Sequence, residues 1–172
     1  MNNVTESLYC VKCGSASLAK DGEKSFRCSD CDFTYFHNVA AASGAFIVFN
    51  NKILLLERAL DPAKGKLDIP GGFLDYGESN EQALCRELFE ELQLSVADSE
   101  MSYLYSFPNQ YLYKGVVYHT VDCFFELILD SEPSLVLQQS EISNYYWVDP
   151  KTFNLDELAF DSCKRALTSY LC

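Results

Sequence analysis

Three glutamates, Glu87, Glu90 and Glu91, lie within a short stretch of one candidate helix. Each residue of an ideal helix turns about 100°, so the three carboxylates share one arc. Leu84, Cys85, Leu88, Phe89 and Leu92 make a continuous apolar face on the other side. Like charges at this spacing repel by roughly a few tenths of a kcal/mol per pair in solvent, and by more when partly buried, so the arc calls for a positive partner. Magnesium or manganese answers that need, because hard divalent cations prefer oxygen ligands and retain water that can be activated. Ala83, one turn before Glu87, leaves space above the carboxylates. Arg86 is placed to orient a neighbouring carboxylate, and Glu78 to pair with Arg86. An acidic helix face considered alone is more often simply solvated, so the reading depends on its surroundings.

A second set of residues is equally suggestive. Cys10-Val11-Lys12-Cys13 and Cys28-Ser29-Asp30-Cys31 offer four thiolates, and the 14 residues between the pairs match a short hairpin that brings them together. Tetrahedral zinc suits such a set, and Gly14 lets the chain turn away after the second cysteine. Four cysteines leave no ligand position for water, which favours a structural zinc over a redox dithiol or a catalytic metal. Cys85, Cys123, Cys163 and Cys172 lack this spacing and read as core or surface residues.

The elements that must hold these groups follow from the hydrophobic pattern. Residues 1–38, rich in Cys, Ser, Lys and Asp, read as a zinc ribbon, and 39–172 as one catalytic domain that opens with the apolar run Val39–Phe49. Asn50-Asn51 is a tight turn leading into the strand Lys52–Arg58. Pro70-Gly71-Gly72 interrupts regular structure. Ser79 to Gln93 is a helix with Ser79 as N-cap and Gln82 completing a capping box. Strands are expected around Met101–Phe107, Val116–Leu129 and Tyr145–Val148, and a final helix over Leu155–Leu171. This order implies an α/β fold with a mixed sheet covered by helices.

The 172 residues allow one full-sized core plus a small appendage, and 48% hydrophobic against 22% charged residues is the balance of a folded globular chain. A net charge of −12 disfavours bulk nucleic acid and anionic membranes, although Lys12, Lys20, Lys24 and Arg27 keep RNA or protein docking by the ribbon open. The N-terminal MNNVTESLYC lacks a signal pattern and no run approaches a membrane span, so a cytoplasmic location is expected and Asn3-Val4-Thr5 is set aside as a glycosylation site.

Gly72, five residues, Glu78, seven residues and then Arg86-Glu87-Leu88-Phe89-Glu90-Glu91-Leu92-Gln93-Leu94 closely resembles the Nudix box of hydrolases that act on nucleoside diphosphates linked to another moiety. The resemblance implies a Nudix-type α/β/α sandwich, metal ligands at Glu87, Glu90 and Glu91, and a further ligand in the Gly72 backbone carbonyl. Glycine fits there because no β-carbon blocks approach to an ion. The box usually carries glycine where this chain has Gln93, which affects the helix end rather than the ligands. Activated water would attack a phosphorus while cations neutralise the phosphoryl oxygens. Glu141 resembles a carboxylate that many members place opposite the box, as a further ligand or the general base, and is otherwise an exposed loop acid.

The four-cysteine ribbon ahead of such a domain is similar to the NADH pyrophosphatase group, so NAD(H) or ADP-ribose is the expected substrate and a capped RNA end a further one. That group's marker after the box is only echoed by Ser106-Phe107-Pro108-Asn109-Gln110-Tyr111. Pro108 and Tyr111 lie near positions that mark ADP-ribose pyrophosphatases and dinucleoside polyphosphate hydrolases. Arg58 is a candidate phosphate contact or a solvated charge, and Tyr111 a candidate substrate contact. The tyrosines between Tyr103 and Tyr118 are either base-stacking groups or a half-buried strand face. A nucleotide-binding regulatory module without turnover is the alternative to an enzyme, and a homodimer is a further expectation.

Overall fold

The computed structural model describes residues 8–172, so the Asn3-Val4-Thr5 segment lies outside the described residues. The chain divides between Val39 and Ala40 into two compact units. In the first, β1 (Leu18–Lys20), β2 (Ser25–Cys28) and β3 (Thr34–Phe36) form an antiparallel sheet in that order. Its core is Cys10, Leu18 and Cys28, with Phe26, Phe33 and Tyr35 packed against them. So small an apolar cluster needs a covalent or metal staple to hold a fold.

The second unit contains β4 (Ala40–Phe49), β5 (Lys52–Arg58), β6 (Leu67–Asp68), β7 (Gly71–Phe73), α1 (Asn80–Leu92), β8 (Met101–Tyr113), β9 (Val116–Ile128), β10 (Ile142–Val148) and α2 (Asp161–Tyr170). The sheet order is β10-β5-β4-β9-β8, with β6 on β5 and β7 on β4. β4 and β9 run parallel and the other pairs antiparallel, so the sheet is mixed. Both faces of the central strands are apolar, and the period of two sorts them. Ala45, Ile47, Leu54 and Leu56 meet Leu84, Leu88 and Leu92 of α1. Phe46, Ile53 and Leu55 meet Cys163, Ala166 and Leu167 of α2. The result is an α/β/α sandwich.

Asn50 and Asn51 both take positive φ, 51° and 61°, which makes the tight turn a type I′ hairpin. Beyond it β4 stays paired with β5 only through Val48↔Ile53 and Phe49↔Lys52. It then pairs with β7, where Ser43 lies opposite Gly72 and Gly44 opposite Gly71. β6 meanwhile covers Leu56 and Glu57 of β5. The Leu67–Phe73 segment thus parts the two central strands and carries the glycines into the gap.

The capping box at Ser79 forms, with the Gln82 N–H donating to Ser79 Oγ and the Ser79 N–H donating to Gln82 Oε1. Two expectations change. Phe89 is 48% exposed and stands off the apolar face, which Leu84, Leu88 and Leu92 fill with Cys85 packed beside them. The expected last helix is broken: Leu155–Glu157 is a 3-10 turn, and α2 begins only at Asp161. Between them Leu158 bridges Leu67 and the Ala159 N–H donates to the Leu67 carbonyl, a sheet-like contact that a continuous helix would forbid. Among the described residues no helix is long and apolar enough to cross a membrane.

Candidate active site

A cleft of about 430 Å³ opens where β4 and β5 part. Arg58, Gly72, Arg86, Glu87, Glu91, Tyr111 and Glu141 all line it. Glu78 reaches it through Arg86, whereas Glu90 stands at the rim with its side chain 49% exposed.

Arg86 organises the acidic side. Its Nε and Nη2 donate to the two Glu78 oxygens at 2.8 and 2.9 Å, and Nη2 also donates to the Phe73 carbonyl at 3.0 Å. Its Nη1 reaches Glu87 at 2.9 Å and Glu90 at 3.2 Å. One guanidinium therefore ties the loop after β7 to α1 and aims two carboxylates. The Arg86 guanidinium, with a backbone bond from the Asp75 N–H, holds the Glu78 carboxyl down at about 2. The three box glutamates do not converge on a single point: Glu87 and Glu90 turn to Arg86, and Glu91 turns to β7.

Glu91 is the informative group. It is 7% exposed, and among the described residues its carboxylate has one hydrogen bond, from the Gly71 N–H at 3.0 Å. Among the described residues it has no ion pair. Burial pushes its carboxyl well above the ordinary value, and the nearby charges of Glu87, Asp68 and Glu141 add to the rise. Burial also raises Glu87, against the pull of Arg86. A buried Glu91 with no ion pair among the described residues, beside a Glu87 that shares Arg86 with Glu78 and Glu90, is the donor set that a hard divalent ion satisfies.

Gly71 is required by the backbone geometry, and Gly72 leaves the space that the Glu87 carboxylate occupies. A β-carbon at Gly72 would sit 2.5 Å from Glu87 Oε1, and one at Gly71, where φ is 139°, would sit 2.0 Å from the Ser43 carbonyl oxygen. Backbone and carboxylate can meet only because neither residue has a side chain.

Arg58 is not solvated. It pairs with Asp68 at 2.7 Å, donates to the Pro62 carbonyl at 2.9 Å and lies over the Phe160 ring at 4.9 Å. Tyr111 packs edge-on to Phe73 at 5.3 Å and tilted against Phe160 at 5.5 Å, so an aromatic wall faces the acids. Sequence reasoning missed Asp68, Asp122, Phe160 and Cys163, all of which line the cleft. Cys163 is buried in the core beneath the cleft and donates to Asp68 at 3.3 Å. The available signal for Asp122 is an acid directly beside the apolar run Cys123-Phe124-Phe125 of a strand.

In the first unit the four sulfurs of Cys10, Cys13, Cys28 and Cys31 lie within 4.8 Å of one another. The Cys10–Cys31 and Cys13–Cys28 separations are both 3.7 Å. Zinc–sulfur bonds of about 2.3 Å in a tetrahedron place sulfurs about 3.8 Å apart, so the set fits the ion. The Gly14 and Asp32 N–H groups close matching turns onto the Cys10 and Cys28 carbonyls, both with positive φ. The Ser15 hydroxyl, with backbone N–H groups of Cys31 and Asp30, lowers the Cys28 thiol to about 6, toward the thiolate that zinc binds.

Residues 39–168 match the NUDIX domain. An ADP-ribose pyrophosphatase of Methanocaldococcus jannaschii is 40% identical over 76 residues, 44% of each chain. An NAD-capped RNA hydrolase, NudC, of Pseudomonas aeruginosa is 26% identical over 165 residues, 95% of this chain and 53% of the relative. The chain spans about half the length of the curated relatives it matches. Among solved structures, a NUDIX hydrolase from Nitrosomonas europaea superposes with TM-score 0.63 at 21% identity, covering 95% of this chain and 89% of that one. The NUDIX domain of Shewanella oneidensis NrtR, complexed with ADP ribose, gives 0.60 at 23% identity, covering 79% and 90%.

Proposed function

The chain belongs to the NUDIX family, and from that premise we propose that it is a divalent-metal-dependent hydrolase cutting the pyrophosphate bond of an ADP-linked substrate, ADP-ribose or NAD(H). The observation that carries this reading is the buried Glu91, unpaired with any Lys or Arg among the described residues, beside Gly71-Gly72 in a cleft large enough for a nucleotide. The relatives named for ADP-ribose and for NAD-capped RNA support the choice, because both substrates present an ADP half.

Magnesium or manganese, when bound, supplies activated water and neutralises charge building on the phosphoryl oxygens. Glu87, Glu91, the Gly72 carbonyl and the rim carboxylate Glu90 would hold it. Arg86 fixes the directions of Glu87 and Glu90, and Glu78 keeps Arg86 in place. Glu141 faces Glu87 and Glu91 from the loop before β10 and is placed to accept a proton from the attacking water or to add a ligand. Arg58, held by Asp68, presents positive charge to the diphosphate, and Tyr111 offers a ring to the base. Zinc in the ribbon has the structural task of holding a core too small to stand alone.

The test is product identification by mass after incubation with ADP-ribose, NADH, a dinucleoside polyphosphate and a nucleotide sugar, with and without magnesium or manganese. AMP should be released from ADP-ribose or NADH only when metal is present. Tight binding of ADP-ribose with no AMP released under any metal would overturn the enzyme reading in favour of a nucleotide-sensing module.

A further inference from the structure

Asp122 of β9 is anchored from its own strand and from two other elements. Asn109 Nδ2 of β8 donates to its Oδ2 at 2.9 Å, Ser162 Oγ of α2 to the same oxygen at 2.6 Å, and Thr120 Oγ1 to Oδ1 at 2.6 Å. Ser162 is 0% and Thr120 3% exposed, so two buried hydroxyls are satisfied through this one carboxylate. A carboxylate has roughly four acceptor sites, which leaves one on Oδ1. No cation pairs with Asp122 among the described residues, and its side chain lines the cleft.

We propose that Asp122 is a specificity-determining acceptor that takes an O–H or N–H donor from the nucleoside half of the substrate. This rests on the reading of the cleft as a nucleoside diphosphate site. The diphosphate itself carries only acceptors and negative charge, so it is repelled from Asp122 and belongs at the metal-binding side. A nucleoside supplies what remains, a flat ring together with hydroxyl and amino donors. The ring has a surface beside Asp122. Asn109 and Tyr111 lie two apart on one face of β8, about 7 Å along the strand, and Tyr111 is packed with Phe160 and Phe73. A metal ligand is the weaker use of this carboxylate. Three of its acceptor sites are filled, and the charges that bear on Glu91 are Glu87, Asp68 and Glu141.

The source of the donor, base amine or ribose hydroxyl, is separated by comparing the adenine substrate with its hypoxanthine and its 2′-deoxyadenosine counterparts. Wild type should prefer the adenine form over one of these by at least about tenfold in kcat/KM, the value of one hydrogen bond to a charged acceptor. Asp122→Asn should abolish that preference, through a rise of about tenfold or more in KM for the adenine form with kcat within about threefold. Ser162→Ala, which removes an anchor and leaves the carboxylate, should lose part of the preference, and it decides the matter if Asp122→Asn does not fold. The proposal is overturned if both variants keep the wild-type ratios, or if Asp122→Asn instead shifts the magnesium dependence. Absence of turnover by wild type on every substrate would instead refute the hydrolase reading itself.

Discussion

At the scale of single residues, Glu91 combines deep burial with a charge that no described residue pairs. Burying a carboxylate with one backbone donor and no cation is unfavourable, and the raised carboxyl limits the penalty by accepting a proton. The folded state holds this proton more tightly than the unfolded chain, so the stability of the metal-free protein falls as pH rises above the ordinary 4.5. Glu91→Gln keeps the shape and the acceptor for Gly71 while removing the charge. In chelator near neutral pH it should therefore be more stable than wild type, by a gap that narrows toward pH 4.5. With metal it should turn over at least about a hundredfold more slowly. Denaturant melts and initial rates check both, and a variant with near-normal rates would remove Glu91 from the site.

At the scale of elements, α1 ends without the expected glycine. Gln93 adopts φ 55° and ψ 27°, a left-handed conformation that costs a residue with a side chain about 1 kcal/mol. Two contacts offset this: its own N–H donates to the Phe89 carbonyl at 2.9 Å, and its side-chain Nε2 to the same oxygen at 3.0 Å. Gln93→Gly exchanges strain relief for a lost side-chain bond and should change stability by less than about 0.5 kcal/mol. Gln93→Val keeps the strain, adds a β-branch and loses the bond, so it should destabilise by more than about 1 kcal/mol. Thermal melts of the pair check this, and equal melting of the two would show that the backbone relaxes at this cap. The hairpin turn and the N-cap of α1 were legible because each depends on residues within a few positions. The break before α2 was not, since it is made by Leu158 and Ala159 meeting Leu67, distant in the chain.

At the scale of the whole molecule, the two units have different sources of stability. Residues 40–172 carry two apolar layers on a sheet, while the first unit has only a few buried side chains around its sulfurs. About one zinc per chain should be found by elemental analysis. Stripping it should raise hydrogen exchange throughout residues 8–39 while the amides of β4, β5 and α1 keep their protection. Retained protection of residues 8–39 in zinc-free protein would discard the structural-metal assignment. By itself, the sequence determined the β4–β5 hairpin, helix α1 with its N-cap, the two cysteine pairs, the mixed α/β class and the spacing Gly72–Glu78–Arg86–Glu91, because periodicity, caps and short motifs are local. Tertiary structure alone decided that Glu91 is buried while Glu90 is not, that Arg58 is spoken for by Asp68, and that Asp122 stands in the cleft between three donors. Burial, pairing and charge are properties of what distant segments bring to one place, and no spacing along the chain encodes them.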